Sequence, residues 1–192
     1  MSDFWLYFKL GLEHVLDWNA YDHILFLIVL CAAYTFVSWR RLLVLVTMFT
    51  VGHTLSLLLA NYNIVTVSSG VIEFLIPVTI FVGALFNLFT AGKEKRVEKL
   101  KILYIVAIFF GLIHGFGFAS YFKMLSSGGE ILPLLEFALG IETSQIIIAF
   151  AVLILAFLFQ TIFRINKKDW VLVVSSIVIG MVIPMIADKW IF

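Results

Sequence analysis

Four histidines carry most of the chemistry this sequence offers, and none of them lies in a hydrophilic loop. His53 falls inside the apolar run from Arg41 to Ala60, and His114 inside the run from Ile102 to Phe122. His14 and His23 flank the mouth of another long apolar run, with Asp22 beside His23, and Glu73 and Glu142 lie in two further runs. A charged side chain at the centre of a bilayer costs about 2.5–3.5 kcal/mol on insertion scales, so such residues usually mark a site. Imidazole with carboxylate is the donor set of borderline divalent metals. A bound cation would also offset the charge of Glu73 and Glu142.

Membrane-spanning elements must position these donors. Of 192 residues, 63% are hydrophobic and 13% charged, with mean hydropathy +1.12. A soluble domain is nearer half apolar and a quarter charged. The composition implies an all-α integral membrane protein forming one membrane domain over residues 1–192, with the lipid bilayer as its first partner. A net charge of +1 gives no footprint for nucleic acid. The single cysteine, Cys31, excludes a disulfide framework and reads as a small packed hydrophobe. Asp3 stands where a signal peptide would carry a basic cluster, so no cleavable leader is expected.

Apolar runs of suitable length place six spans near residues 22–39, 41–60, 69–90, 102–122, 131–163 and 170–187. The fifth exceeds a perpendicular crossing, so it tilts, begins outside the bilayer, or breaks near Gly140. Pro77 and Pro184 predict bends in the third and sixth. Over residues 1–18, Phe4, Trp5, Phe8, Leu12, Val15 and Leu16 follow helical spacing, while Lys9, Glu13 and Asp17 take other faces. This predicts an N-terminal amphipathic helix in the outer interface, with Trp5 and Trp18 at headgroup level. Arg40 and Arg41, then Lys93, Lys95, Arg96, Lys99 and Lys101, then Arg164, Lys167 and Lys168 make three loops basic. The positive-inside rule puts these in the cytoplasm and both termini outside.

On this topology His53 and His114 lie about 18 Å from the inner surface, at 1.5 Å per residue. Asp22, His23 and Glu73 enter near the outer surface, and Glu142 is eleven residues into its run. All six converge on the outer half of the bilayer. Each also has a plainer reading. Asp22 serves as a helix cap, or else orients a ligand histidine from behind. His53 sits among Thr47, Thr50 and Thr54, where a neutral imidazole bonded to a neighbouring helix is the alternative. His114 sits inside the Gly111–Gly115 pair, a spacing that lets another helix approach closely with or without a metal. Glu142 and Gln145 share a helix face, as Glu73 and Asn87 would on theirs. Glu136 points away from Glu142 and is expected to face water.

At these residues the chain resembles the HupE/UreJ family of bacterial membrane proteins, from about Phe8 to Gln145. Gly11-x-x-His14 with Tyr21-Asp22-His23, then Phe49-Thr50-Val-Gly52-His53-Thr54, resemble its first two histidine blocks. Val71-Ile-Glu73 with Asn87 resembles its third-span residues. Phe110-Gly111-Leu-Ile-His114-Gly115-Phe-Gly117-Phe-Ala119 is the most specific match, and Phe137-Ala-Leu-Gly140-Ile-Glu142-Thr-Ser-Gln145 resembles the last block. The chain departs from the pattern in a longer His14–Asp22 segment, in Ala138 for asparagine and in Ser144 for glycine.

The resemblance implies uptake of nickel or cobalt. The leading expectation is a permease for a divalent transition metal, Ni²⁺ foremost, collected by His14, Asp22 and His23. His53, His114 and Glu142 would bind it within the bundle, Glu73 would stand near the entrance, and Thr50, Asn87 and Gln145 would support the ligands. The rival is an intramembrane Zn²⁺ hydrolase using the same ligands, with a glutamate as general base. Haem b between His53 and His114 is a third reading. Homo-oligomers are compatible with all three.

Overall fold

The structure is a computed structural model that describes residues 3–17, 21–93, 100–125 and 131–190. Trp18 and the basic residues Lys95, Arg96 and Lys99 lie outside the described residues. The described chain is helical: α1 (Asp3–Leu16), α2 (Asp22–Ala32), a 3₁₀ turn (Phe36–Ser38), α3 (Trp39–Asn61), α4 (Ser69–Thr90), α5 (Leu100–Leu125), α6 (Ile131–Thr161) and α7 (Lys167–Asp188).

Five of these segments are long and apolar enough to cross a membrane: Phe36–Asn61, α4, Ile102–Leu125, α6 and α7. Their outward faces carry Ile105, Phe109, Phe157 and Ile177, all more than half exposed, as lipid-facing surfaces require. The first expected span is different. Its helix, α2, has 11 residues, about 16 Å long at 1.5 Å per residue and half of a ~30 Å hydrocarbon core. Backbone that leaves a helix at membrane depth must find partners within the protein. Here Asn87 Nδ2 donates to Val29 O at 2.7 Å, and Tyr34 N donates to Cys31 O at 2.8 Å. Thr35 and Ser38 close the next turn, Thr35 N donating to Ser38 Oγ and Ser38 Oγ to Thr35 O. Cys31 is fully buried among apolar side chains.

α6 runs 31 residues through Gly140 without a break. At about 46 Å it outreaches the hydrocarbon core, so it tilts or projects. α4 and α7 likewise continue through Pro77 and Pro184. Glu136, expected to face water, is only 7% exposed. Its helix meets α1 on that side, which the angle from Glu142 could not reveal.

Two glycine crossings set the geometry. On α3 and α5, a Cβ at Gly52 would strike Ile108 O, one at Gly111 would strike Phe49 O, and one at Gly115 would strike His53 O and Ser56 Oγ. On α1 and α6, a Cβ at Gly11 would strike Phe137 O and one at Gly140 would strike Phe8 O. Backbone-to-backbone approach of this kind is the packing that small residues permit between membrane helices. Ser144 Oγ lies 2.9 Å from Leu12 O, across the second crossing.

That crossing overturns the expected surface position of α1. Tyr7 stands beside Phe122, near the end of α5, with its hydroxyl 3.4 Å from Leu125 O, while His14 touches Phe118 with centroids 4.0 Å apart. Seven residues along α1 thus match one to two turns back along α5, and α1 descends into the bundle. Val15 is completely buried. Only the Lys9–Glu13 face, an exposed pair 3.5 Å apart, keeps the expected polar character.

Candidate metal centre

The two crossings bring His14 of α1, His23 of α2, His53 of α3 and His114 of α5 into one cluster. Ring centroids lie 4.7 Å apart for His14–His23, 5.7 Å for His14–His53, 5.8 Å for His23–His53 and 5.3 Å for His23–His114. Each of His14, His23 and His53 offers one nitrogen within 4.8 Å of those of the other two. Nitrogens sharing a tetrahedral ion sit about 3.4 Å apart at the usual ~2.05 Å bond length. A rotamer adjustment of roughly 1 Å would therefore close three ligands on one ion. His114 adjoins them through His23.

The polar atoms in this cluster are orphans. His14 Nε2, His23 Nε2, both ring nitrogens of His53 and His114 Nε2 are buried and have no hydrogen-bond partner. Buried polar groups are paired in all but a few cases, so five imidazole nitrogens without partners in one place call for a ligand. Two of the remaining nitrogens are used in a way that suits metal binding. His23 Nδ1 lies 3.0 Å from Asp22 Oδ1, the carboxylate–histidine pairing that fixes a ligand's tautomer. His114 Nδ1 lies 2.8 Å from Phe110 O, which likewise leaves Nε2 with its lone pair free.

Aromatic rings wall the cluster. Phe118 and Phe137 stack 5.1 Å apart beside His14, and Phe26 and Phe49 stack 4.5 Å apart beside His114. They exclude water and hold the rings in place. Sequence reasoning did not single out this wall, because phenylalanines in an apolar helix look like ordinary packing.

The expected carboxylates fall elsewhere. Glu73 pairs with Lys189 Nζ at 2.6 Å, with both side chains about half exposed, and takes no part in the histidine group. Asn87 is buried and ties α4 to α2, so it and Glu73 do not line a common wall. Glu142 accepts from Thr47 Oγ1 at 2.6 Å and from Thr50 Oγ1, and Thr50 Oγ1 lies 2.9 Å from Gln145 Oε1. This oxygen group sits one to two turns of α3 away from His53, toward Arg41.

Among known proteins, the profile of a family described as HupE / UreJ protein matches residues 1–191. No curated protein and no solved structure matches the chain.

Proposed function

The chain belongs to the HupE/UreJ family, and from that premise and the imidazole cluster we propose that it is a membrane permease for a divalent transition metal, with Ni²⁺ the foremost substrate and Co²⁺ next. The observation that carries this reading is the set of five buried, unpartnered imidazole nitrogens drawn from four separate helices. His14, His23, His53 and His114 would hold the ion, and Asp22 would orient His23. Imidazole accepts Ni, Zn, Cu and Fe alike, so the donor set supports only the class of substrate, and the family's association with nickel and cobalt is what puts Ni²⁺ first in this reading.

In the proposed topology α2 and the irregular segment after it complete a sixth crossing. The basic loops face the cytoplasm of a bacterial inner membrane, and both termini lie outside. The sequence shows no nucleotide-binding motif, so an ion gradient or the membrane potential would drive transport. Proteoliposomes containing the purified protein should accumulate radioactive nickel, and His114→Ala should abolish accumulation while helicity is retained. Absence of uptake by well-folded protein would refute the permease.

One observation favours the Zn²⁺ hydrolase as the second reading. An apolar cleft of about 280 Å³ between α2, α4 and α5 reaches Phe26 and Phe110, both in contact with His114. Such a cleft would suit a lipid-like substrate approaching a three-histidine zinc with an open fourth position. Stoichiometric zinc that survives purification, with no metal flux, would favour it.

A further inference from the structure

We propose that the apolar cleft between α2, α4 and α5 binds one acyl chain of an anionic phospholipid, held intact, with its phosphate at Arg41.

The cleft belongs to one leaflet. α1 and α2 pass in turn along the same helix, α5. Tyr7 of α1 meets Phe122 and His14 meets Phe118, while Phe26 of α2 meets Phe110 and Tyr34 lines the cleft with Leu103. α2 therefore lies in the half of the bilayer next to the start of α5, where the basic loops are. On α5 the lining runs from Ile102 to Phe110, eight residues or about 12 Å at 1.5 Å per residue. That is within the ~15 Å that one leaflet contributes to the hydrocarbon core.

The lining selects hydrocarbon. Val82, Phe86, Ile102 and Val106 form an exposed rim, and at this depth such a rim faces lipid tails. Phe26, Val29, Ala107 and Phe110 are buried behind it. Asn87 and Tyr34 are the polar residues of the lining, and Asn87 Nδ2 donates to Val29 O. Water needs several polar partners to occupy a cavity, and an empty apolar cleft forfeits dispersion contacts along its walls. A chain entering from the bilayer recovers them on three sides. With about 280 Å³ of space and ~30 Å³ for a water-sized group, the cleft takes about nine carbons.

Charge selects the headgroup. Arg41 stands four residues before Leu45, which lines the cleft, so the two share a face of α3 with Arg41 one turn nearer the membrane surface. With Ser38, Trp39 and Arg40 it also lines a hollow of about 450 Å³. A guanidinium there suits a phosphate. The segment joining α4 to α5, the two helices of the rim, carries Lys93, Lys95, Arg96, Lys99 and Lys101 against Glu94 and Glu98. Such a segment attracts anionic lipid.

The floor of the cleft supports the histidines. Phe26 lies 5.3 Å from the His114 ring, and Phe110 O lies 2.8 Å from His114 Nδ1. A chain packed on both phenylalanines steadies His114. This effect rests on the proposed metal site, while lipid binding by itself does not.

The test separates the two. Purified protein in mild detergent is examined by native mass spectrometry, and bound lipid is extracted and identified. Wild type should retain one intact anionic phospholipid, and added phosphatidylglycerol should raise its unfolding temperature more than phosphatidylcholine does. Val106→Trp, which fills the rim, should lose both the retained lipid and the stabilisation; Val82→Trp serves if it does not fold. Arg41→Gln should lose the preference for phosphatidylglycerol. Absence of a retained lipid overturns the site, as does retention by a folded tryptophan variant or a preference that survives Arg41→Gln. Recovery of lysolipid and free fatty acid would also overturn it, by making the cleft a substrate channel. Nickel should then bind several-fold more tightly to wild type with phosphatidylglycerol than without, and Val106→Trp should show no such difference. If no nickel binds at all, the permease reading fails and the lipid measurements still decide the cleft.

Discussion

The α1–α6 crossing makes a sharp demand on Gly140. A Cβ there would sit 2.8 Å from Leu12 N and closer still to Phe8 O, where ordinary contact begins at 3.4 Å. The obstacle is backbone, which cannot rotate away, so α1 must move off by at least about 0.6 Å. α1 carries His14, and a ligand set tolerates displacement of only about 0.5 Å. Gly140→Ala should therefore weaken nickel binding by roughly 10–100-fold, comparable to the loss of a ligand's supporting partner. Gly180 is the control, since a Cβ added on its exposed face of α7 meets nothing within 4 Å. Gly180→Ala should leave affinity unchanged and gain about 0.5–1 kcal/mol of helix stability. The assay is competition titration against a chromophoric chelator, with circular dichroism to confirm folding. A folded Gly140→Ala protein that binds nickel like wild type would refute the claim that this crossing holds His14 in a metal site.

Further outcomes follow from the same geometry. His53 has both ring nitrogens buried and unpaired, so His53→Leu should raise metal-free stability while removing the ~2.7 kcal/mol that metal at 100 times its Kd confers on wild type; a destabilised metal-free variant would mark His53 as structural. Asp22→Asn should weaken metal binding by about 10–100-fold through His23, with helicity unchanged, and a variant with unaltered affinity would remove Asp22 from the site. Asn87→Leu frees Val29 O at the end of α2 and should cost about 1–3 kcal/mol in denaturant unfolding; no loss would mean that another group satisfies that carbonyl. Glu73→Gln breaks an exposed ion pair and should change stability by less than about 1 kcal/mol without affecting uptake, whereas a tenfold fall in uptake would put Glu73 back at the entrance.

The sequence made the histidines conspicuous because imidazole stands out against hydrocarbon, and the Gly111–Gly115 spacing flagged one of the two crossings. The other crossing joins Gly11 to Gly140, so no local spacing announces it, and with it went the true course of α1. The amphipathic pattern of that helix was legible. What it packs against was not, because burial of Val15 and His14 depends on a partner distant in the chain. The early end of α2 was also hidden, since residues 33–38 carry no charge, glycine or proline to mark a stop. Only Thr35 and Ser38, three apart, hinted at a fresh helix start. The carboxylates misled for a different reason. Depth along a helix follows from counting residues, but direction around the axis matters equally, and Glu73 and Glu142 turn toward Lys189 and the α3 threonines.

X-ray absorption at the nickel edge of the loaded protein tests the central claim most directly. The account predicts a shell with three or four imidazole nitrogens near 2.0–2.1 Å by analogy with known metal–histidine bonds (about that length), diminished by one imidazole in His53→Ala. A shell of water and carboxylate oxygens, the same in wild type and variant, would contradict it.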